Sequence, residues 1–404
     1  MTNTLDDYRW LISSEAEPWL ALCGDEPLRL LSNLRKNLSA ERAHLVVEQM
    51  DLRRRAREKF RLAERMFFTR KGFEQATDEQ IASYKAGRFA EGCAITDLCC
   101  GIGGDLLAFA ARGRARGFDH DEVVALLANA NAVAHGFNEE QCVVKPQKIS
   151  ESDLGKGSWH CDPDRRPMGN RATRGELFEP PLETLAGLRE RNLNAAIKLA
   201  PATELPADWC AIAECEWVES RGECRQQIAW FGELARQPGC RSATVLLTDG
   251  QMRTVVGDSD GLPPVAGQVG RFLYEPAAAV LAAKLTSDLC REHNLSAISS
   301  GVAYLTGDQS IEDIALAAFE VVDVLPFDRK QLRAYCRERQ IGKLEIKKRG
   351  VEVDPERLRK EIVADGDENA TLLIAPHDGK TRVFVAARLS SAAGGNSHEK
   401  HKKM

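Results

Sequence analysis

A glycine-rich turn between a short apolar run and a helical segment constrains the fold of this chain more than any other feature. Residues 95–105 read Ile-Thr-Asp-Leu-Cys-Cys-Gly-Ile-Gly-Gly-Asp, and Asp119 follows the next strand-like run, 115–118. The pattern predicts a buried strand, a tight turn and the start of a helix. Glycines let the backbone approach a ligand closely, and a helix N-terminus offers free N–H groups to an anion. Because an acid one strand later accepts hydrogen bonds from ribose hydroxyls, the pattern indicates a nucleoside cofactor.

Short apolar runs alternate with helical ones from Ala94 onwards, which is typical of a parallel sheet with helices between its strands. The first three predicted strands are separated by the predicted helices 104–112 and 122–135. Seven strands are predicted in all: 94–99, 115–118, 141–145, 158–161, 195–199, 211–217 and 242–248. The fold class is therefore expected to be α/β, with a Rossmann-like seven-stranded sheet.

Details of the glycine turn favour one nucleoside cofactor over another. The dinucleotide fingerprint G-x-G-x-x-G needs a third glycine, but here Gly101-Ile102-Gly103-Gly104 is followed by Asp105, an acid where a pyrophosphate would bind. Asp97, just before the turn, would instead attract a positive group. S-adenosylmethionine carries an ammonium and a sulfonium beside its carboxylate, so it fits the turn better. The alternative is a strand-to-helix turn that binds no ligand.

The same residues resemble motif I of the class I methyltransferases, whose sheet also has seven strands. Asp97, Gly101 and Gly103 match motif I, and Asp119 matches the ribose-binding acid. The resemblance implies that Asp97, Cys99, Gly101 and Gly103 hold the methionine part of S-adenosylmethionine and that Asp119 holds the ribose. His120 would lie against the adenosine or be a solvated loop residue. For the adenine, the expected region is 147–153, with Asp153 as the candidate contact.

The end of the fourth predicted strand carries the expected acceptor site, because ligands of open parallel sheets lie off the C-terminal strand ends. The strand is followed by Asp162-Pro163-Asp164-Arg165-Arg166. Class I methylases of exocyclic amines usually carry D/N-P-P-aromatic there, so this chain keeps Asp162-Pro163 and then departs. Arginine stacks on a base or grips a phosphate, whereas the alternative is that Arg165 and Arg166 pair with acids and brace the loop.

Lys198 ends the fifth predicted strand at the same edge of the sheet. It would bind a phosphate, pair with Asp162 or Asp164, or be an ordinary surface lysine. We expect the catalytic residues to be Asp162, Arg165, Arg166 and Lys198.

A wider resemblance covers most of the chain. It rests on the motifs Asp162-Pro163-x-Arg165-Arg166, Lys198-Leu199-Ala200-Pro201, Glu216-Trp217 with Gly222-Glu223-Cys224, Leu273-Tyr274-Glu275-Pro276 and Leu344-Glu345-Ile346-Lys347-Lys348-Arg349-Gly350. By these motifs the chain resembles a bacterial family of class I methyltransferases with a THUMP-like C-terminal domain. The front half, including Gly72–Ala90 and the glycine turn, is also similar to the trimethylguanosine synthase group, which methylates guanine N2 in RNA. The resemblance implies an RNA substrate and leaves the target base open.

The rest of the chain suggests further domains. Residues 1–90 look helical, with Thr77-Asp78-Glu79-Gln80 as a capping box that opens a helix over 81–89. Residues 91–256 form the predicted methyltransferase domain, and 257–327 a linker with connecting helices. Residues 328–390 are the predicted THUMP-like domain, a small α+β domain with helices over 328–340 and 354–363, a strand over 342–348, and strands 370–375 and 381–387 joined by a hairpin turn. The tail 391–404 is expected to be disordered.

Charge suggests a polyanionic partner such as RNA. The 404 residues carry a net charge of −5, yet residues 329–404 contain 18 Lys/Arg against 11 Asp/Glu, and residues 31–71 contain 12 against 5. The alternative is that these segments are solvated helix faces.

Cysteine spacing and hydropathy bound the remaining possibilities. The 12 cysteines include no C-x-x-C pair, and Cys210, Cys215 and Cys224 make the closest approach to one, so no metal is expected. No apolar run reaches the ~20 residues that span a bilayer, and a cytoplasmic protein without a membrane partner is expected. The oligomeric state stays open.

Three hypotheses follow from the sequence. The leading one is an S-adenosylmethionine-dependent methyltransferase acting on RNA. The second is a non-catalytic RNA-binding module that keeps the methyltransferase scaffold. The third, a methylase of small molecules or proteins, leaves the basic segments without a role.

Overall fold

The computed structural model describes residues 3–22, 27–149, 153–164, 178–258, 261–363 and 365–389. By their internal contacts the residues form two units, the first made of Met1–Cys215 and Gln226–Gly239 and the second of Glu216–Arg225 and Cys240–Met404. Arg165, Arg166 and the predicted tail 391–404 lie outside the described residues. Over the described ranges, every helix is too short or too polar to cross a membrane.

Helices make up the start of the first unit. Ser39 caps α4 (Ala40–Ala56) by accepting a hydrogen bond from the Arg42 N–H, and the buried side of α4 packs with Trp10 and Leu11 of α1 (Leu5–Leu11). The predicted capping residue is wrong by one position, because the N-cap of α6 (Glu79–Ala86) is Asp78, which accepts from the Ile81 N–H. The hydroxyl of Thr77 is therefore used elsewhere. The helices are α1 (Leu5–Leu11), α2 (Glu17–Leu20), α3 (Pro27–Leu34), α4 (Ala40–Ala56), α5 (Arg70–Gln75) and α6 (Glu79–Ala86).

A mainly parallel sheet forms the centre of the first unit, with its strands in the order β3-β2-β1-β4-β5-β7. The strand order reverses between β1 and β4, which are parallel neighbours, and such a switch point opens a crevice at the C-terminal strand ends. Strand β7 pairs antiparallel with β5. The strands are β1 (Ala94–Asp97), β2 (Arg114–Asp119), β3 (Cys142–Pro146), β4 (Ser158–Cys161), β5 (Ala195–Leu199), β6 (Glu214–Ser220) and β7 (Glu223–Trp230), and the helices are α7 (Leu106–Ala110), α8 (Glu122–Ala134), α9 (Leu182–Arg191) and α10 (Ala207–Ile212).

The predicted α/β class is confirmed, with local corrections. Strand β1 ends at Asp97, two residues before the predicted end, because Leu98 already begins the turn. The predicted helix over 104–112 shortens to α7, since Gly104 and Asp105 belong to the turn. The predicted strand over 211–217 is split: α10 occupies its start and β6 its end. Strand β7 was not predicted.

The second unit contains most of β6, a hairpin of two strands and a seven-stranded sheet in the order β11-β12-β10-β13-β16-β15-β14. The hairpin joins β8 to β9 through Asp249-Gly250, where Gly250 has φ 90°, so the predicted turn is present although β9 was not predicted. The strands are β8 (Arg241–Leu246), β9 (Met252–Gly257), β10 (Phe272–Pro276), β11 (Ser296–Ala297), β12 (Leu305–Gly307), β13 (Leu316–Pro326), β14 (Ile341–Lys348), β15 (Glu368–His377) and β16 (Lys380–Arg388), and the helices are α11 (Ala278–Ala283), α12 (Thr286–His293), α13 (Arg329–Glu338) and α14 (Pro355–Ile362).

Segment 257–327 contributes more than connecting helices to this unit. Strand β10 pairs antiparallel with both β12 and β13, and β13 pairs with β16. The elements predicted for 328–390 are present within a few residues, including the hairpin turn between β15 and β16. Helices α13 and α14 bury Leu332, Leu358 and Ile362 against the sheet. The sheet is strongly curved, because Lys347 of β14 reaches Glu275 of β10 at 2.7 Å although three strands separate them in the order.

Candidate functional site

The sheet register of the first unit gathers four polar side chains on one face. Asp97 of β1 lies opposite His160 of β4, and His160 lies opposite Ala196 of β5. Because side chains alternate along a strand, Asp162 and Lys198, two residues further on, belong to the same face. The Lys198 Nζ lies 2.5 Å from the Asp162 Oδ2, so of the alternatives left open for Lys198 the structure shows the ion pair with Asp162. The topology thus brings the expected cofactor acid and the expected acceptor acid to neighbouring strand ends.

The glycine turn after β1 has the conformation that its sequence requires. Gly101 has φ 55° and Gly103 has φ 96°, both in the region that favours glycine. A Cβ built on Gly101 meets no atom within 4 Å, so the backbone there borders open space. Cys99 is half-buried in the same turn, and a hydrogen bond from it adds to burial in raising the pKa of the Cys161 thiol well above its ordinary value.

Asp97 is almost fully buried at the start of this turn, with 1% of its surface exposed. Its Oδ1 lies 2.9 Å from the Nδ1 of His160. Its Oδ2 is buried and has no hydrogen-bond partner within the described part of the chain. A buried carboxylate oxygen without a partner is costly, so it points to a donor that a ligand supplies.

Asp119 lies at the end of β2 and accepts a hydrogen bond from the glycine turn. Its Oδ2 accepts from the Gly101 N–H at 3.1 Å and its Oδ1 from the Asp121 N–H at 3.0 Å. Burial raises the pKa of Asp119, although these two backbone hydrogen bonds oppose the shift. A carboxylate has about four acceptor positions, so capacity for two hydroxyl donors remains. His120 is exposed, with its Nδ1 at 3.7 Å from the Asp119 Oδ1.

These residues fit S-adenosylmethionine. The unpartnered Asp97 oxygen suits the ammonium, the space beside Gly101 accommodates a chain without a clash, and Asp119 suits the ribose hydroxyls. The cofactor supplies an electrophilic methyl group on its sulfonium. For the adenine, the structure shows only that Gln147 Nε2 donates to Asp153 Oδ1 at 2.9 Å, and the contact of Asp153 with the adenine stays a prediction.

A buried charged cluster behind the turn was missed from the sequence. Lys85 of α6 has no exposed surface, and its Nζ lies 2.6 Å from the Asp105 Oδ1 and 3.5 Å from the His160 Nε2. Burial lowers the pKa of Lys85, against the effect of Asp105. Burial alone would raise the pKa of Asp105, but Lys85, His160 and Lys198 outweigh it and hold that pKa well below its ordinary range. One signal was available, since Lys85 lies among the apolar positions Ile81, Ala82 and Ala86 of α6.

Asp164 is the last described residue after β4, in the segment expected to meet the methyl acceptor. Its Oδ2 accepts from Lys71 Nζ at 2.8 Å and its Oδ1 from Gln75 Nε2 at 3.0 Å. Its backbone forms a bridge with Glu179. Of the expected catalytic residues, Asp162 and Lys198 are thus brought together, and Arg165 and Arg166 lie outside the described residues.

Within the described ranges, one group of side chains in the second unit has metal-binding spacing: Glu292, His293 and Asp313. His293 Nε2 lies 2.9 Å from Asp313 Oδ2. Arg253 contacts Glu292 and also lies 3.2 Å from Asp313. The Arg253 guanidinium therefore already pairs with both acids.

Comparison with known proteins agrees with the fold and with the cofactor. A family model described as THUMP domain-like matches residues 316–388. An uncharacterized S-adenosylmethionine-dependent methyltransferase of Mycobacterium tuberculosis, strain H37Rv, is 30% identical over 348 residues, which are 83% of this chain and 93% of that relative. Its counterpart in strain CDC 1551 matches equally. A crystal structure of a candidate methyltransferase from Porphyromonas gingivalis W83 superposes with a TM-score of 0.77 over 96% of this chain and 98% of that one, at 20% identity, which shows a common fold.

The fold and the cofactor site define a class I methyltransferase. The chain belongs to the family of S-adenosylmethionine-dependent methyltransferases that includes the M. tuberculosis protein, and it carries a THUMP-like region near its C-terminus. Its cofactor is S-adenosylmethionine.

Proposed function

We propose that this methyltransferase acts on RNA, and that the second unit supplies RNA-binding charge. The observation that carries the proposal is an exposed basic face on α13. Lys330, Arg333 and Arg337 recur at helical spacing, all three are exposed, and none forms an ion pair with another described residue. Unpaired cations on one helix face attract phosphates. The match of residues 316–388 to a THUMP-like family supports the same substrate class.

The other basic segment, 31–71, supports RNA binding less well. Several of its arginines are neutralised by acids, such as Arg54 by Asp51 at 2.6 Å and Arg70 by Glu48 at 3.3 Å. Lys71 pairs with Asp164. We therefore expect α13 to contribute more to RNA affinity than α4.

At the site, we propose that Asp97, Cys99, Gly101 and Gly103 hold the methionine part of the cofactor. Asp119 holds the ribose, with His120 beside it. Two observations support these roles: the Oδ2 of Asp97 has no hydrogen-bond partner among the described residues, and Asp119 accepts a hydrogen bond from the Gly101 N–H.

We further propose that Asp162 orients the acceptor, with Lys198 holding Asp162 in place and Arg165 and Arg166 contacting the RNA. Asp162 is partly exposed at the strand ends, where it can face a ligand, and its ion pair with Lys198 keeps one carboxylate oxygen fixed. Catalysis then consists mainly of holding the acceptor in line with the methyl–sulfur bond.

Calorimetry with S-adenosylmethionine and S-adenosylhomocysteine tests the cofactor roles. Asp119→Ala should weaken binding at least about tenfold, which corresponds to the loss of ~1.4 kcal/mol. Glu140→Ala, an exposed acid of the same unit, is the control and should bind normally. Unchanged affinity of Asp119→Ala would remove Asp119 from the ribose site.

Transfer of a tritium-labelled methyl group to total RNA tests the substrate class, with RNA taken from a strain that lacks this protein. Asp162→Ala should abolish transfer and keep cofactor binding. Transfer to protein or small-molecule fractions but not to RNA would refute the RNA proposal.

A matched pair of double variants tests the role of α13. Arg333→Gln/Arg337→Gln should weaken RNA binding and lower the slope of log affinity against log salt by about 0.7–0.9 for each lost phosphate contact. Arg357→Gln/Arg359→Gln removes the same charge from α14, where both arginines already pair with acids, Arg357 with Glu361 and Arg359 with Glu356. Equal losses in the two variants would show that α13 is not a specific RNA contact.

A further inference from the structure

Thr77 joins the cofactor side of the site to its acceptor side by two hydrogen bonds. Its Oγ1 donates to the Asp105 Oδ2 at 2.8 Å, and it accepts from the Lys198 Nζ at 3.0 Å. A hydroxyl has one hydrogen to donate, so it donates its hydrogen bond to the carboxylate and accepts the hydrogen bond of the ammonium on an oxygen lone pair. The direction of both bonds is thereby fixed.

The backbone holds Thr77 at this position. Because Asp78 caps α6, the hydroxyl of Thr77 is not consumed by the helix. Gly104 of the glycine turn lies against it: a Cβ on Gly104 would be 3.0 Å from the Thr77 carbonyl oxygen and 3.1 Å from its nitrogen. Thr77 is 6% exposed, so water competes little for its hydroxyl.

Lys198 carries the effect of Thr77 to the acceptor acid. Its Nζ donates to both Thr77 and the Asp162 Oδ2, and the Lys198 side chain is 9% exposed against 25% for Asp162. Thr77 thus fixes the Nζ of the less exposed Lys198, and Lys198 in turn holds the more exposed Asp162. On the other side, Asp105 connects through His160, 3.9 Å from its Oδ2, to Asp97.

We propose that Thr77 is a positioning residue, which sets the place of Lys198 and Asp162 relative to the cofactor turn so that the acceptor meets the methyl group in line. The inference rests on the proposed roles of Asp97 and Asp162. Thr77 itself touches neither reactant in this role.

The test compares Thr77→Val, which keeps the shape and removes the hydroxyl, with Thr77→Ser, which restores the hydroxyl. Thr77→Val should lower kcat for methyl transfer to total RNA about 10–100-fold, as misplacement of a reacting group by about 1 Å does. The Kd for S-adenosylmethionine should stay within about threefold, because Asp97 and Asp119 keep their own partners. Thr77→Ser should recover most of the rate.

Thr203→Val is the matched control, since the Thr203 hydroxyl is buried and has no hydrogen-bond partner among the described residues. It should transfer methyl groups at the normal rate. A normal kcat for Thr77→Val would overturn the proposal. So would an equal loss of cofactor binding and rate in Thr77→Val and Thr77→Ser, because that pattern indicates a structural role only.

Crystal structures of the three Thr77 forms with S-adenosylhomocysteine provide a readout that needs no RNA. The Lys198–Asp162 pair should keep its position relative to the glycine turn in the unsubstituted protein and in Thr77→Ser, and should shift away from that position in Thr77→Val. An unmoved pair in Thr77→Val would refute positioning even if RNA is not the acceptor. Absence of transfer to RNA by the unsubstituted protein would instead refute the proposed substrate alone.

Discussion

Replacing Lys85 by methionine should destabilise the first unit strongly. The substitution keeps the length of the side chain and removes a fully buried ammonium whose Nζ lies 2.6 Å from Asp105. Asp105, with 6% of its side chain exposed, would keep the Thr77 hydroxyl at 2.8 Å and His160 at 3.9 Å. Breaking a buried ion pair by removing one partner costs about 3–5 kcal/mol. Because two partners remain, we expect a loss near the lower end, about 3 kcal/mol.

The measurement is urea unfolding followed by tryptophan fluorescence, carried out as a double-mutant cycle. Lys85→Met/Asp105→Asn removes both charges and should recover about 1–3 kcal/mol relative to the sum of the single variants. Arg54→Met is the control, because Arg54 pairs with Asp51 at a similar 2.6 Å but is 74% exposed. That surface pair should contribute less than about 1 kcal/mol. A loss below about 1 kcal/mol for Lys85→Met would refute the reasoning that the buried Asp105 carboxylate depends on a buried countercharge.

Three further outcomes are expected. Gly101→Ala should cost about 1–2 kcal/mol from its φ of 55° and should also weaken S-adenosylmethionine binding in calorimetry, whereas Gly379→Ala, with φ 70° and equally open surroundings, should leave binding intact. Because burial raises the pKa of Asp119, cofactor affinity should fall on acidification while the pH is still above the ordinary Asp value, and Asp119→Asn should bind weakly without this pH dependence. Glu275→Gln should destabilise the second unit by about 1–3 kcal/mol in urea unfolding, because Lys347 and Arg349 both donate to Glu275. Glu320→Gln is the control: it removes the ion pair of the exposed Arg271 and should cost less than about 1 kcal/mol.

The sequence predicted the fold where apolar runs were bounded by turn residues. Strands β4 and β5 lie at the predicted positions, and the sheet buries all of β5 and all of β4 except Ser158. Strand β7 was missed because it begins Glu-Cys-Arg-Gln-Gln, a polar start that gives no strand signal. In the segment 257–327, where connecting helices were expected, the first helix begins only after β10 has ended at Pro276, and β10 itself was not predicted.

Some residues of the candidate site could be found from the sequence and others could not. Asp97, Asp119 and the glycines lie in a local pattern, so spacing along the chain was enough to find them. Thr77 and Lys198 are 121 positions apart and meet only in the folded sheet. Lys85 needs burial to become notable, because a lysine in a helix is ordinarily solvated. Contacts between distant segments are the part of the site that a single sequence does not encode in a readable form.

The pairing of β10 with β13 bears on how the C-terminal region can be dissected. The THUMP-like match starts at residue 316, but β10 covers one side of β13 in register from Phe272–Glu320 to Pro276–Leu316. A fragment that starts at 316 would leave the β13 edge without its partner strand, with Phe319, fully buried in the whole chain, opened to water. Unpaired strand edges of this kind form hydrogen bonds with strands of other chains, which leads to aggregation. Fragments intended for RNA-binding work should therefore begin before Phe272, and a shorter piece that precipitates would report a severed sheet and not a failure to recognise RNA.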